Sequence, residues 1–591
     1  MRNFKPAVAS SMDGKKENIV NHYKEIYGDL YNSVEDMDNM FQLKNEIENR
    51  INFSQLTEVS KVTPDIVKEA ASNLKDNKGD PTYSFSSDCL KNGPDKLYQL
   101  LSIAIKSFLL HGHITTFLLL ATLIPLIKDK LASINSSKNY RSIAISSLVL
   151  KMIDWIVLLL YGETLGLDEL QFAYQAKCST TMCSWMVIET ISYFVRNGSE
   201  VFTSCMDMTK AFDLVQHSLL FRKLIDAGLP DIFIRLLLVI YLNQFANVNW
   251  NNSFSNMFNL RNGVRQGGVL SAILYCLYVE GLFKELRKSG FGCWVNGNFQ
   301  GIFGYSDDSM LLAPTQHGLQ EMLKICEKYA NTHNLKFSTD PDPVKCKTKC
   351  IAFLRKQRQL SPMVLCGNNL PWVDGFKHLG NNIVNSSDYA KHDIKIKRAT
   401  FINKNIELNQ EFYFTQPETK FKVNEIFNSH FTGSPLWNLF SEEALKLESS
   451  YNTSVKIMFN LPYSTHRNLI EPITGARHVR IVLIKRFLNF LSQVKDSKKQ
   501  LPKQMLNLIK RDTRSTTGNN LRRILLLTEK NNVELLVSSD AMNIKYHPIK
   551  LEDQWKVGMI QEINQMRNDK LEVEGFTNIE LEEILEHLCS G

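Results

Sequence analysis

The stretch that decides how this chain reads is Gly304-Tyr305-Ser306-Asp307-Asp308-Ser309-Met310. Two carboxylates stand side by side, with Phe299 to Phe303 before them and Met310-Leu311-Leu312-Ala313 after them. Just upstream, Cys293-Trp294-Val295 is followed by the turn pair Asn296-Gly297, and Asn-Gly between alternating apolar residues predicts a β-hairpin. A second hairpin then carries Asp307 and Asp308 at its tip, between Phe303 and Leu311. Two anions a few ångströms apart repel by about 1 kcal/mol in water and about 4 kcal/mol at an effective dielectric of 20. A fold that holds such a pair in a partly buried place implies a cation there to offset the repulsion. What matters elsewhere in the chain is a third carboxylate and groups able to handle a phosphate.

Composition sets wide bounds. The 591 residues suggest about four domains, or fewer large ones. A hydrophobic content of 44% with 22% charged residues describes an ordinary globular protein. The net charge of +8 permits a nucleic-acid partner without requiring one. Neither Cys346 and Cys350 nor Cys178 and Cys183 form a CxxC pair, so the cysteines read as reduced thiols of an intracellular protein, nuclear or cytoplasmic, with no zinc knuckle. The N-terminus lacks the apolar core of a signal peptide. The apolar run Phe117 to Ile127 contains Pro125 and is too short to span a bilayer, and Leu148 to Tyr161 is interrupted by Lys151 and Asp154. Both are expected to be buried helix or strand, and no membrane partner is expected.

In chain order, residues 1–55 are polar and helix-prone, with one apolar face of Tyr23, Ile26, Tyr27 and Leu30; they show no chemistry and read as an extension or linker. Helices are predicted from Pro64 to about residue 75 and from Lys96 to His111. The strand Thr122 to Ile127 leads through Lys128-Asp129-Lys130 to Asn139-Tyr140-Arg141, which places Lys128 and Arg141 on neighbouring strands. Such basic residues are ordinarily solvated, and they gain meaning only beside a triphosphate. Ser179 or Thr180 caps a helix after Gln171-Phe172-Ala173-Tyr174. Asp207 ends the apolar strand that starts at Val201, a position suited equally to a metal ligand and to a helix N-cap. Helices are expected from Ser218 to Gly228, from about Ser271 after the loop Asn262 to Leu270, and from Leu319 to Ala330. In that loop the glycines let the backbone approach a nucleotide within reach of Gln266. Lys336-Phe337-Ser338 is expected to enter a strand, Cys350 to Leu354 to form one after the basic run Lys345 to Lys349, and Phe376 to His378 to form another ending at Gly380. From about residue 390 helical patterns dominate, with aromatic and basic residues interleaved at Phe412, Tyr413, Phe421 and Lys422, a polar loop at Leu461 to Arg467, and an acidic helix at Leu571 to Glu586.

Seven of these stretches, in this order, resemble the reverse transcriptases of non-LTR (LINE-type) retrotransposons. Leu123 to Lys128 with Asn139-Tyr140-Arg141-Ser142-Ile143 is similar to their fingers segment, and Gln171 to Tyr174 with Ser179-Thr180-Thr181 to their QFGF…ST block. Asp207 to Asp213 is similar to DLSKAFD, Gly263 to Ser271 to GVRQGxxLSP, and Tyr305 to Asp308 to YADD. Lys377 to Gly380 resembles their primer grip, and Leu461 to Arg467 an LPxxTHR segment. Ser306 stands for the usual alanine, Ser142 and Ala272 for prolines, Ala173 for glycine and Gln175 for a basic residue.

The resemblance implies an α+β, right-hand polymerase with an antiparallel palm sheet, followed by a mainly helical C-terminal region. Fingers and palm would occupy residues 56–385, a helical thumb or connector 386–480, and a further helical region 481–591, with no endonuclease domain expected in the chain. The implied activity is RNA-directed DNA synthesis, joining deoxynucleoside triphosphates to a DNA primer on an RNA template. Asp207, Asp307 and Asp308 would hold two Mg²⁺ ions about 3.5–4 Å apart, with Mn²⁺ as a substitute. Lys128 and Arg141 would hold the triphosphate. Phe212 would exclude a ribose 2′-hydroxyl, and Arg265, Gln266 and Gly267 would line the nucleotide site. Lys347, in competition with Lys345 and Lys349, would protonate the leaving pyrophosphate. The alternative is a retrotransposon-derived RNA-binding relic that has kept the fold and lost the activity.

Overall fold

The computed structural model describes residues 12–29, 34–80, 85–130, 132–386, 389–427, 431–512 and 514–527. The segment Leu571 to Glu586, expected to be an acidic helix, lies outside the described residues.

Two sheets organise the chain. The first gathers β1 (Leu120–Ile127), β2 (Tyr140–Ser146), β4 (Phe245–Trp250), β5 (Ser253–Phe254) and β6 (Phe258–Asn259), in the order β2-β1-β4-β5 with β6 also on β4. Strand β1 pairs antiparallel with β2 and parallel with β4, the latter only from Leu120 to Leu123. Pro125 therefore falls beyond the β4 ladder, where its missing N–H removes no bond on that side. Leu126 lies opposite Arg141, so Lys128 and Arg141 emerge at the same end of the pair, as the sequence predicts.

The second sheet is antiparallel throughout, with β11 (Lys349–Phe353), β3 (Val201–Met206), β10 (Asp308–Ala313) and β9 (Ile302–Tyr305) in that order. Met310 to Ala313 are wholly buried, as befits a strand with neighbours on both sides and helices Thr180–Arg196 and Gln316–Thr332 packed on the sheet. Smaller hairpins are β7 (Trp294–Val295) with β8 (Asn298–Phe299), β12 (Met363–Leu365) with β13 (Asn368–Leu370), and β14 (Gly375–His378) with β15 (Asn381–Val384). Asn296 and Gly297 both take positive φ, the geometry that an Asn-Gly hairpin turn requires. Ser179 is the N-cap of Thr180–Arg196 and accepts a hydrogen bond from the Met182 amide. With one mixed and one antiparallel sheet and a helical C-terminal part, the chain is α+β.

Three expectations change. Lys336 to Ser338 forms no strand: Phe337 makes one isolated bridge to Met208, and the Thr209 and Ser338 amides bond Lys336 O and Asp207 O. The N-terminal stretch is no linker. Ile19, Val20, Tyr23, Ile26 and Tyr27, on helix Met12–Lys24 and the π-turn Glu25–Asp29, pack with Ala121, Leu123, Tyr140, Ala144, Ala246 and Val248 into a core of their own. The division at 480 falls inside helix Val479–Asp496, and the helices after it return to the second sheet's covering. Trp185 donates from Nε1 to Thr517 Oγ1 at 3.0 Å, and Thr517 donates to Glu189 Oε1 at 2.6 Å. Lys499 Nζ donates to the carbonyls of Asp168 and Glu169 at 2.9 and 3.0 Å.

The described cysteines are all free thiols. Among the described residues, no helix is long and apolar enough to cross a membrane. Burial raises the pKa of Glu189, and its hydrogen bond from Thr517 opposes that shift. Thr517→Val removes the donor and is expected to destabilise the protein by about 1–3 kcal/mol, read as a lower denaturant midpoint.

Candidate active site

Asp207 is the first residue past β3, and Ser309 on β10 lies opposite Met206. Continuing that register by one residue brings Asp308 opposite Asp207 at the same end of the sheet. Asp308 pairs with Tyr305, so the β9–β10 hairpin turns on Ser306-Asp307, and Asp308 is the first residue of β10 rather than part of the tip. Ser306 has φ +62°, a left-handed conformation that a serine adopts only when its surroundings hold it. Gln171 supplies that hold: its Oε1 accepts from the Ser306 amide at 3.0 Å and from the Ala173 amide at 3.1 Å. The backbone of Leu170 to Phe172 runs along β9, with Gly304 N donating to Leu170 O at 2.9 Å and Phe172 N to Gly304 O at 2.8 Å. A Cβ on Gly304 would lie 2.6 Å from the Phe283 ring, so this approach needs glycine.

Asp307 and Asp308 sense the charges beside them. Burial raises the Asp308 pKa to about 6, with the negative charges of Asp307 and Asp207 adding to the shift. Asp307 is raised too, first by burial and then by Asp207, while Arg141 pulls it down. Lys347 Nζ stands 3.7 Å from Asp207 Oδ2 and is largely exposed. Of the two lysines that compete with it, Lys345 pairs with Asp342 at 3.4 Å and Lys349 lies in β11 opposite Cys205. Burial lowers the Lys128 pKa; Asp213 opposes the shift, and the charges of Arg141, Lys210 and Lys347 add to it. Arg141 and Lys347 thus act on the acidic edge itself, while Lys128 and Lys210 act on Asp213 beside it. Among the described residues no three His, Cys, Asp or Glu side chains form a closed metal-ligand cluster. An open edge of carboxylates suits an ion that completes its shell with phosphate oxygens and water.

Phe212 is half-buried and stacks on Tyr275, with ring centroids 4.9 Å apart and planes 19° from parallel. The Tyr275 hydroxyl bonds Met208 Sδ at 3.0 Å. Gln266 donates from Nε2 to Asp213 Oδ1 at 2.9 Å, and its carbonyl accepts from Ala144 N on β2 at 2.8 Å. Gly267 follows at φ +112°, where a Cβ would press within 3.0 Å of Ala144 O. The glycine loop is thus pinned between β2 and the Phe212-Asp213 turn.

Arg265 is placed elsewhere. Its side chain is buried, 3.8 Å from Asp154 and over the Tyr241 ring at 5.7 Å. Asp154 also accepts from the Leu270 amide at 3.4 Å. The expectation that Arg265 lines the nucleotide site gives way to a different one: its guanidinium neutralises a buried carboxylate behind the loop. Gln171, Lys210, Asp213 and Tyr27 are site neighbours to which the sequence reading assigned no role. Gln171 and Asp213 lie inside recognisable motifs, and that placement was the available signal. For Tyr27 there was none, since its partners are distant in sequence.

With this geometry in view, residues 128–383 match the reverse transcriptase (RNA-dependent DNA polymerase) family. Among curated proteins, the chain is 25% identical over 256 residues to the Pol polyprotein of the type-2 retrotransposable element R2DM of Drosophila melanogaster, covering 42% of this chain and 23% of that one. It is 24% identical over 269 residues to the R2 Pol polyprotein of Nasonia vitripennis, covering 44% of this chain and 25% of the relative. The chain thus spans about a quarter of these relatives' length. Among solved structures, telomerase from Candida albicans covers 70% of this chain and is itself covered to 69%, at 11% identity and a TM-score of 0.32. The motif order, the match over residues 128–383 and the R2 relatives agree: this part of the chain is similar to reverse transcriptases of the non-LTR retrotransposon kind.

Proposed function

We propose that this chain is an RNA-directed DNA polymerase that extends a DNA primer on an RNA template. The observation that carries the reading is the meeting of Asp207, Asp307 and Asp308 at one end of the antiparallel sheet, with Arg141 and Lys347 acting on them and Lys128 and Lys210 on neighbouring Asp213. The family depends on divalent metal ions and acts on nucleotides with an RNA template. The three aspartates would hold Mg²⁺, with Mn²⁺ as a substitute, and the bound ions would supply charge that activates the primer 3′ oxygen and neutralises the leaving pyrophosphate.

This chain's residues carry the remaining work. Lys128 and Arg141 bind the triphosphate, the first as a point charge and the second through paired hydrogen bonds. The Phe212 ring, braced by Tyr275, leaves no room for a 2′-hydroxyl. Gln266, fixed through its side chain and its carbonyl, meets the incoming nucleotide or the template. The primer 3′ oxygen attacks the α-phosphorus, the bond from that phosphorus to the bridging oxygen breaks, and Lys347 gives the departing pyrophosphate a proton. The helices after Tyr389 grip template and primer through phosphates, so affinity falls as salt rises.

Primer extension on an RNA template by wild type and by Asp307→Ala tests the reading. Wild type is expected to extend in the presence of Mg²⁺, and the variant to lose activity by about 10³-fold or more. No extension by the wild type, or equal extension by both, would overturn the enzyme reading.

Phe212→Ala is expected to lower discrimination between deoxy- and ribonucleotides by at least about tenfold, measured as the ratio of their kcat/KM values.

Titration gives a third expectation. The folded pKa of Asp308, about 6, lies above its unfolded value near 4, so the folded state holds the proton more tightly. In metal-free protein the group therefore costs nothing below about pH 4 and costs stability progressively as the pH rises through about 6. Asp308→Asn should be more stable than wild type above that range, by on the order of 1 kcal/mol once solvent screening is allowed for, and no more stable below about pH 4. Thermal unfolding of both proteins across this window measures the difference.

A further inference from the structure

Tyr27 lies ahead of the stretch that matches the reverse transcriptase family, in the N-terminal segment that its sequence marks only as helix-prone. That segment is seated firmly. Tyr23 and Tyr27 are buried on the first sheet, the Arg261 amide donates to Tyr27 O at 2.9 Å, and Lys16 Nζ donates to Ser253 Oγ at 2.6 Å and Phe254 O at 3.0 Å.

The seating delivers the Tyr27 hydroxyl to the nucleotide side of the sheet. It donates to Asp213 Oδ1 at 2.6 Å and lies 2.8 Å from Ser142 Oγ. The same oxygen of Asp213 accepts from Gln266 Nε2 at 2.9 Å. A phenol on a carboxylate at this distance is a strong, charge-assisted bond. Asp213 is only 7% exposed, so its charge has little water to hold it. The groups that do so are Tyr27, Gln266 and the field of Lys210 and Lys128. Asp213 directly follows Phe212 in the chain, and any rotation of its carboxylate removes the acceptor that holds the Gln266 amide.

We propose that Tyr27 is a positioning residue for the incoming nucleotide, acting through Asp213 to hold the Gln266 amide and to set the negative charge that Lys128 and Lys210 face. The inference rests on the polymerase reading above and extends the working site to a residue outside the matched domain. Tyr27 touches no substrate. Its role predicts an effect on nucleotide binding and little effect on the chemical step.

Tyr27→Phe in the full chain removes one oxygen and keeps the ring in its pocket. Two readouts are taken. In the free protein, hydrogen exchange is expected to quicken in peptides covering residues 210–216 and 262–268 and to stay as in wild type elsewhere. In primer extension, the KM for deoxynucleotides is expected to rise about three- to tenfold with kcat within about twofold. Combined with Gln266→Ala, it should raise KM no further than Gln266→Ala does alone, because both act through one amide. Lys16→Ala, which removes an exposed contact of the segment and leaves the buried Tyr23 and Tyr27 seating in place, should leave KM as in wild type.

Unchanged exchange in the 262–268 loop overturns the proposal whether or not the protein polymerises. So does an unchanged KM, an effect that multiplies with Gln266→Ala, or an equal rise in Lys16→Ala. A wild type that fails to extend primers while its loop exchange responds to Tyr27→Phe removes the polymerase reading and leaves the Tyr27–Asp213–Gln266 linkage standing as an observed coupling, with no nucleotide to position.

Discussion

The structure depends on holding three like charges together at the end of one sheet. Asp207 raises the cost of ionising Asp307, both raise that of Asp308, and burial of Asp307 and Asp308 adds to it. Left to itself, such an edge would relax by opening the β9–β10 turn. Gln171 prevents this by clasping the Ser306 backbone, and the Leu170 to Phe172 segment does so by lying along β9. The strain of a serine at φ +62° is thereby matched by hydrogen bonds from a segment remote in sequence.

A second tier of carboxylates lies deeper and serves a different purpose. Asp154, Asp213 and Glu189 are each nearly inaccessible, and burial pushes all three pKa values up. Each is answered by groups from another part of the chain. Arg265 meets Asp154, Tyr27 and Gln266 meet Asp213, and Thr517 meets Glu189. A buried charge that loses its partner costs far more than the pair contributes. Such pairs therefore fix register: one locks the glycine loop, one ties the N-terminal segment to the Phe212-Asp213 turn, and one draws the last described helix onto the helix that backs the second sheet. The matched domain is enclosed from both ends by segments that its motifs do not describe.

Much of this was legible in the residues. Alternating apolar runs and Asn296-Gly297 announced the hairpins, because those signals are local and the side-chain period of a strand is short. The motif order located Asp207, Asp307, Phe212 and Gln266, since the spacing of chemistry-bearing residues survives without any knowledge of packing. Lys336 to Ser338 misled because an apolar residue between polar ones looks like a strand whether or not a ladder forms; here Phe337 makes a single bridge. Arg265 misled because a basic residue in a glycine loop says nothing about which side of the loop its side chain leaves.

The sequence by itself pointed to the α+β class, to the resemblance that residues 128–383 bear to reverse transcriptases, and to the three aspartates that the structure brings to one sheet end, all of which follow from local pattern and order along the chain. Only the tertiary structure decided that Asp308 begins a strand while Asp307 occupies the turn, that Lys347 rather than Lys345 or Lys349 reaches Asp207, and that Arg265 faces inward. It alone decided that Tyr27 and Thr517 belong to the working body of the protein. The reason is physical: a carboxylate's charge and shape are written in its own residue, but its partner is set by which distant segment the apolar cores bring against it.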